Sequence, residues 1–284
     1  MKKRFDGMYY KHQKGEQTIS IIAGVSSGNH AFIQVITNND SHYFKYPMSV
    51  CKFGDTIEIA DNTFSKNGVK ININENDIMI FGEMKYIELT PLRYDIMGPF
   101  KYLPMECRHK ILSLHHRIDG GLSFNGRFID FTGGIGYIEG DSGKSFPKNY
   151  TWIQCNNFSD KACVSVAVAD IPFSGLHFQG CIGIVYFNGV EYRMATYLGV
   201  KIICCDENRI ILQQGKLYLD IEIGAGTGYK LIAPNKGGMD REIREFVVCG
   251  AKFRFMKGEV ILFERHADSA SFEYINEKTT ERMI

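Results

Sequence analysis

Proline and tryptophan are scarce in this 284-residue chain, with seven and one respectively. So few prolines leave no room for long disordered linkers. Net charge is nearly absent: Lys+Arg is 33 against Asp+Glu 32, a formal +1. That balance argues against a protein held on nucleic acid by a dense basic surface. No run of 18 apolar residues occurs, so no transmembrane segment of the helical kind is expected. The opening Met1-Lys2-Lys3-Arg4-Phe5-Asp6-Gly7 is basic but lacks the apolar stretch of a signal peptide. Regular cysteine spacing is missing too. The eight cysteines include one adjacent pair, Cys204-Cys205, and most sit inside apolar strand patterns. Reduced thiols in a cytoplasmic protein suit that distribution better than a disulfide framework. Neither a paired-cysteine motif nor a His-Glu-x-x-His pattern points to zinc. Helical periodicity is the last absence, and even Glu106 to Asp119 reads better as a strand.

What the chain has in abundance is two-residue alternation. Leu217, Leu219, Ile221 and Ile223 alternate with Tyr218, Asp220 and Glu222, and Val164, Val166 and Val168 alternate with smaller residues. Phe253 and Phe255 precede Lys257-Gly258, and Val260 and Leu262 follow it, as in a hairpin. Twenty-nine glycines supply turns, while 44% hydrophobic and 23% charged residues supply a core and a surface. The fold class is all-β. The length accommodates one large domain or two of roughly 140 residues.

A weak internal repeat favours two. Met8-Tyr9-Tyr10-Lys11 leads to Thr18-Ile19-Ser20-Ile21, and Thr151-Trp152-Ile153-Gln154 leads to Val164-Ser165-Val166-Ala167 in the same way. Asn62-Thr63-Phe64 and Gly68-Val69-Lys70-Ile71 are echoed by Arg209-Ile210-Ile211 and Gly215-Lys216-Leu217-Tyr218. Lys85 to Pro91 is echoed by Gly228 to Pro234. A spacing of half the chain is too long for a solenoid and reads as duplication of a whole β domain. Two such antiparallel sheets protect their edges by closing into barrels or packing as sandwiches. The expected division is 1–130 and 131–284.

Several glycine-rich motifs lack the context their chemistry needs. In Gly140-Asp141-Ser142-Gly143-Lys144-Ser145, Ile138 stands where a phosphate loop needs its first glycine, and Phe146-Pro147 follows instead of a helix. A serine-protease reading of the same segment lacks the expected sequel and a histidine motif. Gly224-Ala225-Gly226-Thr227-Gly228 joins two strands and lacks dinucleotide-binding spacing.

Three segments together resemble the tocopherol cyclase family. The most specific runs from Gly136-Tyr137-Ile138-Glu139-Gly140 through Phe146-Pro147 to Trp152-Ile153-Gln154-Cys155-Asn156. It resembles a hallmark in which Tyr-x-Glu precedes a Gly, a Phe-Pro and a Trp-x-Gln-Cys-Asn. The second is Met97-Gly98-Pro99-Phe100 through Pro104-Met105-Glu106-Cys107-Arg108-His109, with Ser113, His116 and Gly121-Leu122 beyond it. The third, Phe5-Asp6-Gly7-Met8-Tyr9-Tyr10-Lys11, is similar to the family's Phe-Glu-Gly-Trp-Tyr-Phe-Lys. Met8, Asp6 and Ser142 depart from the family's usual Trp, Glu and Trp.

The resemblance implies two tandem lipocalin-like antiparallel β-barrels, in agreement with the repeat. It also implies chromanol ring closure, in which an acid protonates a prenyl double bond and a phenol oxygen attacks the resulting cation. That isomerase chemistry calls for no metal and no cofactor. It needs a carboxylic acid still protonated near neutral pH, aromatic faces near the cation, and an acceptor for the phenol proton. Glu139 matches the hallmark glutamate and is the expected acid, with Asp141 as a second carboxylate able to share its proton. Asp6, Tyr9, Glu106, His109, Tyr137, Phe146, Trp152, Gln154 and Asn156 are the expected substrate-binding residues. As strand residues, His109 sides with Cys107 and Glu106 with Arg108, on opposite faces. Trp152, Gln154 and Asn156 share one face, as a pocket wall or as a structural anchor. The expected partner is a hydrophobic small molecule, a prenyl quinol or other isoprenoid, with no nucleic acid and at most transient membrane-surface contact. A non-catalytic lipocalin-like carrier and a protein-binding scaffold are the alternatives.

Overall fold

The computed structural model describes residues 4–27, 30–173 and 176–276. The first sheet contains β1 (Phe5–Lys14), β2 (Gln17–Ser26), β3 (His30–Thr37), β4 (Ser41–Pro47), β5 (Cys51–Lys52), β6 (Ile57–Ile59), β7 (Asn62–Ser65), β8 (Gly68–Glu75), β9 (Ile78–Ile87), β10 (Cys107–Phe124), β11 (Arg127–Asp130) and β12 (Ile135–Gly143). The second contains β13 (Tyr150–Cys155), β14 (Cys163–Phe173), β15 (Leu176–Phe187), β16 (Val190–Ala195), β17 (Lys201–Cys205), β18 (Arg209–Gln214), β19 (Leu217–Gly226), β20 (Tyr229–Asn235), β21 (Gly238–Lys257) and β22 (Val260–Ile275). Glu106 to Asp119 is strand from Cys107 onward, as its alternation predicts. The hairpin expected at Lys257-Gly258 is present, with Lys257 opposite Val260 and Gly258 at φ 64°. All eight cysteines are free thiols. Among the described residues no helix is long and apolar enough to cross a membrane.

The two sheets repeat one plan. The first runs β4-β3-β2-β1-β12-β10-β9-β8-β7-β6-β5, with β11 beside β10. The second runs β16-β15-β14-β13-β22-β21-β19-β18-β17, with β20 beside β21. In each, the two edge strands are consecutive in sequence and joined through one turn of 3-10 helix, Met48–Val50 or Thr196–Leu198. Each sheet must therefore curl until its edges lie one turn apart. One face of each is a continuous apolar core, containing Met8, Tyr10, Ile21, Ile33, Phe64 and Ile138 in the first. Ile153, Cys155, Val164, Val166, Phe253 and Phe255 belong to that of the second.

The first sequence echo lies on equivalent strands, but its second segment is one residue out of step, because Ser20 corresponds to Ser165 and not to Val166. Lys11 stands opposite Ser20 on β2, and Gln154 opposite Ser165 on β14. The third does not, because β9 lies within its ladder while β20 hangs off the side of β21. Five strands, β5 to β9, occupy the part of the first ladder that three, β17 to β19, occupy in the second.

The chain divides into two compact units, each drawing on distant sequence. Unit 1 holds the chain up to Arg93, then Cys107–Phe146 and Leu231–Glu242; unit 2 holds Tyr94–Glu106, Pro147–Lys230 and the chain from Ile243. The boundary expected at 130/131 thus falls inside unit 1. The reason is β12, which is hydrogen-bonded between β1 and β10 and completes that sheet. Within unit 1, Gln34 holds residue 232 at both backbone groups, at 2.8 and 2.9 Å. Within unit 2, the buried Arg193 pairs with Glu191 at 2.7 Å and stacks its guanidinium on the Tyr94 ring at 3.4 Å. It also donates to the Tyr94 and Asp95 carbonyls.

The core face of unit 1 encloses two imidazoles. His12 Nδ1 meets the Ile19 carbonyl at 3.1 Å, so that nitrogen carries the hydrogen, and Nε2 accepts from Tyr86 Oη at 2.6 Å. His116 lies against the Tyr86 ring with centroids 4.3 Å apart. Burial pushes His12 down to about 4, despite the opposing pull of the Ile19 carbonyl. Burial, together with His12 and His115, pushes His116 down to about 3.

Two predictions follow from these buried groups. Above the ordinary imidazole range both histidines are neutral whether folded or unfolded. Below it the unfolded chain gains protons that the folded unit refuses, so stability falls as pH drops from about 6.5 toward 4. Each histidine should cost roughly 2 kcal/mol by pH 5. The melting temperature should fall as pH is lowered across that range, and His12→Gln with His116→Gln should flatten the dependence. In unit 2, Arg193→Met should cost about 3 kcal/mol. Arg193→Lys should recover little, because an ammonium lacks the planar fork and the stacking face. Urea unfolding followed by the fluorescence of Trp152 reads this unit directly.

Candidate functional site

The pleat of β1, β10 and β12 puts successive residues on opposite faces. Since Met8, Tyr10 and Ile138 belong to the core, Tyr9, Lys11, Tyr137, Glu139 and Asp141 project from the other face. That face is nevertheless buried: Lys11 and Tyr137 are fully inaccessible, and Tyr9 and Glu139 nearly so. Register fixes their neighbours. Tyr9 stands opposite Glu139 and Lys11 opposite Tyr137 across the β1–β12 ladder. His109 stands opposite Asp141 across β10–β12. β10 then carries two irregularities between Ile111 and His116, a device that re-aims side chains beside sites.

The polar groups form one connected cluster. Tyr137 Oη donates to Glu139 Oε2 at 2.6 Å. His109 Nε2 lies 3.4 Å from that same oxygen, and His109 Nδ1 lies 3.0 Å from Asp141 Oδ1. Cys107 Sγ donates to Asp141 Oδ1 at 3.5 Å. Tyr9 Oη and Ser20 Oγ are 2.7 Å apart on the same face. Accessibility is graded across the cluster, with side-chain exposure of 7% at Glu139, 11% at His109 and 24% at Asp141. With Asp141 accepting the Nδ1 hydrogen, the neutral imidazole turns its Nε2 lone pair toward Glu139. His109 therefore connects the inner carboxyl to the outer one. The proton-sharing expected of two adjacent carboxylates is mediated by an imidazole between them. One ligand atom each from His109, Glu139 and Asp141 lies within 4.8 Å of the others, an arrangement able to hold a metal ion.

The remaining expected residues are distributed differently. Asp6 alternates with Gly7 and lies on the core face near Lys110, away from Tyr9 and Glu139. Its carboxyl is raised above the ordinary range mainly by burial, with Lys110 and Arg4 opposing and Asp141 reinforcing. Glu106 is exposed, precedes β10 and belongs to unit 2, so it is no member of this cluster. Strand parity does not apply to a residue outside the strand. Phe146 lies beyond β12 and packs edge-on against Phe5 at 5.6 Å. Trp152 and Gln154 are buried in unit 2, on the face of β13 opposite Ile153 and Cys155, and Asn156, also buried, follows the end of that strand.

Two groups of polar residues escape sequence reasoning. Lys11, the last residue of the amino-terminal motif, is fully buried. In unit 2, Glu273 stands opposite both Trp152 and Glu245, and accepts from Tyr150 Oη at 2.5 Å. Glu273 occupies the position relative to Trp152 that Glu139 occupies relative to Tyr9. The aligned echo of Tyr9 and Trp152 carried that signal, but only with the register of the last strand in hand.

A family model described as tocopherol cyclase-like matches residues 86–193. The match spans less than half of the chain, and over those residues the chain is similar to that family. The matched span contains His109, Tyr137, Glu139 and Asp141, together with Trp152, Gln154 and Asn156. A search of curated proteins returns no match. Among solved structures, CghA superposes over 97% of this chain and 89% of its own, with a TM-score of 0.61 and 8% identity. Kievitone hydratase from Nectria haematococca covers 95% of this chain and 88% of its own, at TM-score 0.55 and 10% identity. A Nitrosomonas europaea protein described as AttH covers 96% and 93%, at 0.53 and 9%. At such identities the likeness establishes the fold, a two-domain lipocalin-like all-β architecture.

Glycine at 140 lets this segment lie close to β1. A Cβ there would sit 2.4 Å from Met8 Sδ and 2.8 Å from the Gly7 carbonyl oxygen, and the backbone contact has no rotamer to escape into. Gly140→Ala should therefore cost about 1–3 kcal/mol in thermal or denaturant unfolding. It should also weaken amide-exchange protection along β1 and β12.

Proposed function

We propose that this protein is an acid catalyst that protonates a carbon–carbon double bond of a hydrophobic substrate. In the reading implied by the family, the substrate is a prenylated hydroquinone or related isoprenoid, and its own phenol oxygen closes a chromanol-type ring. The observation that carries the proposal is the buried Tyr137–Glu139–His109–Asp141 chain, with Glu139 as its innermost carboxyl. A weakly basic alkene demands a strong, positioned acid, and a carboxyl held between a phenol and an imidazole is fixed before substrate arrives. Glu139 donates the proton and Tyr137 fixes its carboxyl. His109, supported by Asp141, takes the proton released by the attacking oxygen and returns it to Glu139. The electron pair of the alkene forms the new C–H bond, the oxygen lone pair forms the C–O bond, and the catalyst ends unchanged. Tyr9, opposite Glu139, offers an aromatic face to the developing cation.

Hydration and cyclisation share this first step and differ only in the oxygen nucleophile, water or an internal phenol. The hydratase named among the structural neighbours therefore supports the same class of chemistry without specifying a substrate. Incubation with prenyl hydroquinones in deuterated water should give chromanol carrying deuterium at carbon. Glu139→Gln, still folded, should reduce the rate at least 100-fold, in line with loss of a general acid. Undiminished turnover in that variant would move the acid elsewhere, and Asp141→Asn would be compared next. Tight ligand binding with no deuterium incorporation would instead identify a carrier.

A further inference from the structure

We propose that Cys107, His109, Glu139 and Asp141 form a binding site for a divalent transition-metal ion of zinc type. Four metal-ligating side chains, two from each of two hydrogen-bonded strands, occupy one face. Cys107 and His109 are two apart on β10, and Glu139 and Asp141 are two apart on β12. The ladder that pairs Cys107 with Gly143 and His109 with Asp141 holds the strands in fixed register. Zinc bonds to nitrogen and oxygen of about 2.1 Å put tetrahedral ligands about 3.4 Å apart. His109 Nε2 and Glu139 Oε2 already have that separation, at 3.4 Å. The three-residue set lies within 4.8 Å, about 1.4 Å beyond that spacing, so binding requires the Asp141 carboxylate to turn from His109 Nδ1, its partner at 3.0 Å, toward the Nε2 side. Cys107, 3.5 Å from Asp141 Oδ1, stands at the border as a thiolate donor for the fourth position.

The donor set selects the ion. An imidazole and a thiol favour zinc, cobalt or copper over magnesium and calcium, which prefer oxygen alone. Tyr137 donates to Glu139 Oε2, the outer-sphere hydrogen bond that orients a carboxylate ligand. This inference goes beyond the proposed acid catalysis and has an inhibitory consequence for it. A metal bound to Glu139 takes the lone pair on which the transferable proton would sit, so zinc and protonation of substrate exclude each other.

The test is titration of the full-length, chelator-treated protein with cobalt(II), which reports its ligands by visible absorption. One equivalent should develop d–d bands, and zinc should abolish them by displacement. His109→Gln and Asp141→Asn, each verified folded by circular dichroism, should weaken cobalt binding tenfold or more, and Tyr137→Phe about tenfold. A near-ultraviolet thiolate-to-cobalt band that vanishes in Cys107→Ser, with the d–d bands kept, establishes the fourth donor. Absence of that band in the wild type reduces the site to three protein ligands and overturns the thiolate assignment. Featureless cobalt spectra, or spectra unchanged in the folded His109 and Asp141 variants, overturn the site. The readout is independent of turnover. A chelator-treated protein that is inactive before metal is added, yet binds cobalt through these residues, refutes the acid catalyst and leaves the metal site standing.

Discussion

Register between β1 and β12 is the constraint on which the rest depends. These are the first and last strands of the first sheet in sequence, and their pairing sets Tyr9 against Glu139 and Lys11 against Tyr137. A slip of one residue would send Glu139 into the apolar core and Ile138 to the polar face. The slip is opposed from both directions. Ile138 belongs to the same core as Met8 and Tyr10, and Gly140 permits a backbone approach that a larger residue would block. On the other side of β12, His109 is held opposite Asp141. The site is thus a consequence of how the sheet is completed.

Duplication explains why both units pair their first and last strands at the centre of the ladder. In each, an aromatic residue of the first strand faces a glutamate of the last, Tyr9 with Glu139 and Trp152 with Glu273. A tyrosine hydroxyl reaches each glutamate, from Tyr137 in one unit and Tyr150 in the other. The copies have diverged in their third partner. Unit 1 supplies His109 beside its glutamate, whereas unit 2 places Glu245 directly opposite Glu273. In the proposed mechanism, it is this imidazole between carboxyls that gives the proton its route.

Alternation made the all-β class legible, because a period of two leaves few other solutions. The leading echo, Met8 to Ile21 against Thr151 to Ala167, is one residue out of register in its second half, where Ser20 corresponds to Ser165, but its strand pairing was legible because the paired strands are consecutive. Domain boundaries were not. A strand such as β12 declares its allegiance in part through β1, more than 100 residues away, and the exchanged segments, 94–106 and 231–242, sit in the other unit's stretch of sequence. Glu139, Tyr137 and Asp141 were visible as a local motif. Their meeting with His109 was not, since it depends on β10 lying beside β12. Parity assigned His109 to the face of Cys107, as the structure has it, but misdescribed Glu106, which lies before the strand begins. Asp6 shows a further limit: a motif residue next to the site in sequence is turned to the opposite face by the same pleat.

The two faces of unit 1's sheet separate two kinds of ionisable group. On the core face, His12 and His116 are buried among Tyr86, Tyr10 and Phe131 and held neutral by lack of water. On the other face, Glu139, His109 and Asp141 are linked through increasing exposure, so charge there has a path toward solvent. Both arrangements use histidine, and hydration decides what each does. An imidazole locked between a backbone carbonyl and a phenol contributes packing and a fixed hydrogen bond. An imidazole between carboxyls of unequal exposure joins a buried group to one nearer the solvent. Since Ile138, Glu139 and Gly140 alternate between the faces residue by residue, the packing of the core positions the exchangeable cluster within a single strand. Precision at the site is therefore inherited from the core on the reverse side of the same sheet.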